Sequence, residues 1–88
     1  MRIHVKRTGG FAGIERDASV DTAGLSDAEA WRTLAEQART EGSDEPPVGV
    51  PDGFCYQITV DDRTFYCSDP RLTDEQRHLI TRVLKEGS

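Results

Sequence analysis

Apolar residues in this chain recur first at every second position and then at helical spacing, and the sequence passes through that change twice. Ile3 and Val5, with Arg7 in the same phase, alternate with Arg2, His4 and Lys6, which is the pattern of a half-buried strand. After a glycine-rich connector, Ile14, Arg16, Ala18 and Val20 share one face, and Glu15, Asp17 and Ser19 the other. Strand, glycine-rich turn, strand predicts a β-hairpin whose loop is longer than the tight two-residue kind. Ser26-Asp27-Ala28-Glu29 has the spacing of a capping box, in which the serine accepts from a free helical amide and the glutamate reaches back. Trp31, Leu34, Ala35 and Ala38 follow on one helical stripe, a phase that puts Trp31 in the core. Gly42 is expected to close this helix, as glycine does just past a helix C-terminus.

From Glu41 to Gly53, three prolines, three glycines and several acidic residues predict a long exposed loop. The two-residue period then returns. Phe54, Tyr56, Ile58 and Val60 share a face, and Asp61-Asp62-Arg63 separates this run from a second strand over Thr64 to Ser68. A two- or four-residue turn there puts Phe65 and Cys67 on the same face and Cys55 on the opposite one. The expectation is therefore two free thiols. Thr73-Asp74-Glu75-Gln76 is a second capping box, and Gln76, Leu79, Ile80, Val83 and Leu84 form the stripe of a closing helix that ends at Gly87. The order ββαββα predicts an α+β fold: a four-stranded antiparallel sheet of two hairpins with both helices packed on one face, in a single domain over residues 1–88.

Composition narrows the function. At 88 residues and a formal net charge of −5, the chain has no basic stripe interleaved with aromatics, so neither a nucleic-acid backbone nor an anionic membrane is the expected partner. No apolar run reaches the length of a signal peptide core or a membrane-crossing helix, and a cytoplasmic location is expected. Cys55 and Cys67 are too few for a disulfide framework and lack zinc-site spacing.

Catalytic chemistry is present only in pieces. His4, beside Lys6, reads as a solvated strand residue, and His78, beside Arg77, as a solvated helix residue. Neither has a carboxylate or thiol placed by sequence to orient it. Asp61-Asp62 is a turn more often than a carboxylate pair. Gly9-Gly10 lacks the Lys-Ser/Thr ending of a phosphate loop and opens a strand rather than a helix. A small core also leaves little room for a deep pocket. The expectation is no enzyme, no catalytic residue, no bound metal and no cofactor.

Binding remains. The connector Thr8-Gly9-Gly10-Phe11-Ala12-Gly13 sets one large aromatic among three glycines. Phe11 either folds back to cap the sheet end or projects towards a partner, and pattern alone does not choose between them. Together with the flanking Arg2-Ile3-His4-Val5-Lys6-Arg7 and Ile14, and with Tyr56-Gln57-Ile58-Thr59-Val60-Asp61-Asp62, this stretch resembles the emfourin family. These are small protein inhibitors of thermolysin-like zinc metalloproteases, with the protealysin inhibitor as namesake, and the likeness runs through the order of elements along the whole chain. The resemblance implies an inhibitor that binds such a protease without a cofactor, and a monomer is expected. These enzymes prefer a bulky apolar side chain just after the scissile bond, so Gly9, Gly10, Phe11, Ala12 and Gly13 become the expected contact surface, with Phe11 as anchor. Backbone carbonyls near Gly10–Ala12, or the carboxylates of Asp44 or Glu45, are the candidates to approach the protease metal. The alternative is a non-inhibitory, antitoxin-like adaptor that meets a basic partner through its acidic 41–52 loop.

Overall fold

A computed structural model of the chain describes residues 1–9, 15–45, 54–68 and 71–87. Its elements run β1 (Arg2–Gly9), β2 (Arg16–Asp21), α1 (Ala28–Glu41), β3 (Phe54–Val60), β4 (Arg63–Ser68) and α2 (Asp74–Glu86), the expected ββαββα order. The strands form one antiparallel sheet in the order β2-β1-β3-β4, so the chain's first strand lies inside the sheet. Alternation decides which face is covered. Ile3, Val5, Ala18, Tyr56, Ile58 and Phe65 point to one side and are buried there against Trp31, Leu34, Ala35 and Ala38 of α1 and Leu79, Ile80 and Val83 of α2.

The second hairpin turns on two residues, with Val60 opposite Arg63. Asp61 takes a positive φ of 56°, a conformation that aspartate tolerates better than most residues. It is steadied by two bonds to Arg2: the Asp61 amide donates to the Arg2 carbonyl at 2.9 Å, and the Arg2 amide donates to Asp61 Oδ1 at 2.9 Å. Tyr56 lies opposite Cys67, and Cys55 opposite Ser68. The two cysteines therefore sit on opposite faces of the sheet, and no disulfide joins them.

The capping box of α2 forms as its sequence predicts. Thr73 Oγ1 accepts from the Gln76 amide at 3.1 Å, and Gln76 Oε1 accepts from the Thr73 amide at 3.1 Å. Both side chains also reach α1, where the Thr73 hydroxyl donates to Glu41 Oε1 at 2.9 Å and buried Gln76 Nε2 donates to the Ala38 carbonyl at 3.2 Å. One cap thus ties the start of α2 to the end of α1. Gln76→Leu is expected to lower stability by roughly 1–3 kcal/mol, because it orphans a buried carbonyl and dismantles half of the cap. A urea midpoint within error of wild type would contradict this.

The capping box expected at Ser26 does not form. The helix begins one residue later, with Asp27 at the N-cap and no side-chain cap bond. A competing partner has taken the Asp27 carboxylate: Arg82 Nη2 donates to Asp27 Oδ2 at 2.8 Å. The same guanidinium donates through Nε to Glu86 Oε2 at 3.0 Å and stacks 3.9 Å above the Trp31 ring, a cation–π contact that clamps α2 to α1. The Trp31 indole N–H, also turned towards Asp27, stays outside hydrogen-bond geometry.

The Arg82 bond holds the Asp27 carboxyl below its ordinary value. A lowered folded pKa stabilises the fold fully above the unfolded value of about 3.9, and that contribution is lost as pH falls through the lower, folded one. Asp27→Asn should therefore flatten the acid limb of the stability curve. Urea midpoints of the two proteins near pH 6 and pH 3 would check this, and identical slopes would refute it.

Gly42 ends α1 as expected. Its φ of −90° and ψ of −177° are extended. The reason for glycine is space: a Cβ there would lie 2.6 Å from Cδ2 of the buried Phe65. Gly42→Ala is expected to lower stability by about 1–3 kcal/mol through overpacking, as read from the thermal midpoint.

Candidate functional site

β1 is the strand from which the glycine loop departs, and its two neighbours do not hold it equally far. Pairing with β2 runs from Arg2↔Asp21 to Arg7↔Arg16, whereas pairing with β3 continues through Thr8↔Cys55 to Gly9↔Phe54. Gly9 has a φ of 98°, in the region that only glycine enters freely, so the last described residue before the loop already turns away from strand geometry. Of the expected contact residues, Gly9 is placed by the structure, while Gly10, Phe11, Ala12 and Gly13 lie outside the described residues.

The root of the loop is braced on both faces. On the helix side, Arg7 and Arg16 stand directly opposite one another, an arrangement in which like charges repel. Each guanidinium is drawn to a different partner. Arg7 stacks 4.4 Å above the Phe54 ring, and Arg16 Nη2 donates to the Leu84 carbonyl at 2.9 Å, near the C-terminal end of α2 where a helix favours cations. The Nε of Arg7 is buried and has no hydrogen-bond partner among the described residues. On the open side, Lys6 Nζ lies 3.8 Å from Glu15 Oε1, and His4 Nε2 lies 3.1 Å from Asp17 Oδ2. These exposed pairs each contribute at most about 1 kcal/mol.

Neither Arg7 nor Phe54 stood out from the sequence as a site residue. A signal was present: Arg7 is a cation at the third inward position of a strand whose first two are Ile3 and Val5.

Other residues weighed from the sequence are not brought together. His78 is exposed on α2, and Asp61 and Asp62 form the β3–β4 turn. The acidic stretch that begins at Glu41 is largely exposed over its described residues, as expected, and its start is tied to the fold. Glu41 belongs to α1 and accepts from Thr73, while Ser43 forms an antiparallel bridge with Tyr66 at the edge of β4. Asp44 and Glu45 are exposed beside that bridge, three strand spacings or about 14 Å across the sheet from β1. The segments 46–53 and 69–70 lie outside the described residues. Among the described residues, no cluster of His, Cys, Asp and Glu is placed to hold a metal ion, and no helix is long and apolar enough to cross a membrane.

Comparison with known proteins supplies what the geometry does not name. No curated protein and no solved structure matches the chain at a significant level. The family profile described as Emfourin matches residues 5–84, taking in part or all of every strand and helix and the glycine loop. On that match the chain belongs to the emfourin family, a family of metalloprotease inhibitors.

Proposed function

We propose that this protein, acting as a monomer, inhibits a thermolysin-like zinc metalloprotease by seating the Gly9–Gly13 loop in the active-site cleft. Phe11 fills the pocket that takes the bulky apolar side chain just after the scissile bond. The family match across residues 5–84 carries the reading, because the loop lies within it. The root geometry is consistent with it. A loop that leaves a strand still paired at Gly9↔Phe54 needs less ordering on binding than a free segment. A peptide held away from the productive attack geometry is hydrolysed slowly, which distinguishes an inhibitor from a substrate. The zinc involved belongs to the protease, and nothing in the reading requires a cofactor on the inhibitor.

The test is a titration of the purified protein against thermolysin and related enzymes with a peptide substrate. Tight competitive inhibition is expected, changing little as salt rises to about 0.5 M, where the Debye length is well below 10 Å. Deletion of residues 44–52 should leave the inhibition constant within about threefold of wild type, an affinity change under about 0.7 kcal/mol. Absence of inhibition, with binding that fades in salt and depends on that deletion, would favour the acidic adaptor instead.

A further inference from the structure

The geometry points to Arg7 as a positioning residue for inhibition: stacked on Phe54, it fixes the direction in which the chain leaves β1, without itself meeting the protease. This rests on the loop reading above and gives that loop its hinge.

Three observations carry it. Among the described residues, β1 is held beyond Arg7↔Arg16 from the β3 side only, and the last described rung there is Gly9↔Phe54. Gly9 imposes little conformational preference of its own, so its neighbours must set the path of the chain at φ 98°. Phe54 is that neighbour, and Arg7 holds its ring from the diagonal position across the strand pair. The third observation is the buried Nε of Arg7, which has no hydrogen-bond partner among the described residues, an arrangement that stability alone does not favour when Ile3 and Val5 fill the preceding inward positions with apolar bulk. A planar guanidinium at this position does what an aliphatic side chain does not: it lies flat on the ring and stops it swinging. Without the clamp, the loop would have to be ordered at binding, and a slacker loop would reach cleavage geometry more often.

The experiment measures inhibition constants for wild type, Arg7→Met, Arg7→Lys, Phe54→Leu and the Arg7→Met/Phe54→Leu double variant. Arg7→Met is also placed on a Phe11→Ala background, and cleavage of bound inhibitor is followed by mass spectrometry. Arg7→Met and Phe54→Leu should each raise the constant about tenfold, the scale of a partly desolvated cation–π contact. The double variant should rise no further than either single one, Arg7→Lys should fall between, and Arg7→Met should speed loop cleavage. On the Phe11→Ala background, Arg7→Met should change little, because a misdirected loop matters only while its anchor works.

An unchanged constant for Arg7→Met, with wild type inhibiting and Phe11→Ala weakened, would overturn the role of Arg7 alone. Losses that multiply in the double variant, or that persist undiminished on Phe11→Ala, would overturn it by showing direct contact or general destabilisation. A wild type that does not inhibit, or a Phe11→Ala without effect, would overturn the loop reading and this inference with it. Should Arg7→Met fail to fold, Phe54→Leu and Arg7→Lys decide by the same comparison.

Discussion

Trp31→Ala is expected to lower folding stability by about 3–5 kcal/mol, the range for truncating a large buried aromatic. Trp31 is 1% exposed and sits where α1, α2 and the sheet meet, so the cavity would open at the centre of a thin core. The indole is also the platform for Arg82, and its loss would leave that guanidinium joined only to the Asp27 and Glu86 carboxylates. For a domain of this size, total stability is on the order of 5–15 kcal/mol, and such a loss leaves a substantial unfolded fraction at physiological temperature. The measurement is urea unfolding followed by far-ultraviolet circular dichroism, since Trp31 is the only tryptophan and the variant has no indole fluorescence. Trp31→Phe separates the two contributions. It keeps most of the buried volume and weakens the cation–π contact, so its loss should be nearer 1–2 kcal/mol. Equal losses in the two variants would mean that the stack on Arg82, rather than the volume, dominates.

The fold was legible because local signals and burial agree. The stripe Trp31, Leu34, Ala35, Ala38 became the buried face of α1, and Gln76, Leu79, Ile80 and Val83 that of α2. Alternation from Phe54 to Cys67 also placed both cysteines correctly, because a period of two leaves no choice once the turn length is known. Local reading failed where a distant group intervened. Ser26 has cap chemistry, yet the helix starts at Ala28 with Asp27 at its N-cap, and the Asp27 carboxylate answers to Arg82, 55 positions away, instead of capping. Gly42 reads as a helix terminator and is one, yet the space it leaves is taken by the Phe65 ring, which no neighbouring residue announces. The order β2-β1-β3-β4 was equally invisible, since two hairpins can join along either of two strands without changing any local pattern.

The candidate site was legible in a different way. The glycine-flanked aromatic drew attention as a motif, while the pair that braces its root did not, because Arg7 and Phe54 are 47 positions apart and meet only through strand register. Arg7 breaks the apolar alternation of β1 at the last described rung that pairs it with β2. A charge placed against the pattern of its strand was the one sequence feature able to indicate the site's support as well as its tip.

Phe11→Ala is expected to weaken inhibition of a thermolysin-like protease by at least ~30-fold, corresponding to about 2 kcal/mol for a buried aromatic anchor, at an unchanged urea midpoint. The two readings of Phe11 make opposite forecasts. A ring that projects from the loop contributes nothing to the free inhibitor's core, so its removal shows only in the complex. A ring that folds back to cap the sheet buries apolar surface in the free protein, so its removal lowers stability by roughly 1.5–3 kcal/mol whether or not the protease is present. Measuring both quantities on one variant therefore distinguishes the readings. Phe11→Leu sharpens the comparison, because a protease pocket that selects bulky apolar side chains should accept leucine with a loss well below that of alanine. Phe11→Asp should be worse than either, since it carries a charge into a pocket that excludes water. Stability that falls through the series while inhibition holds would place the ring in the inhibitor's own core and move the contact surface elsewhere on the domain.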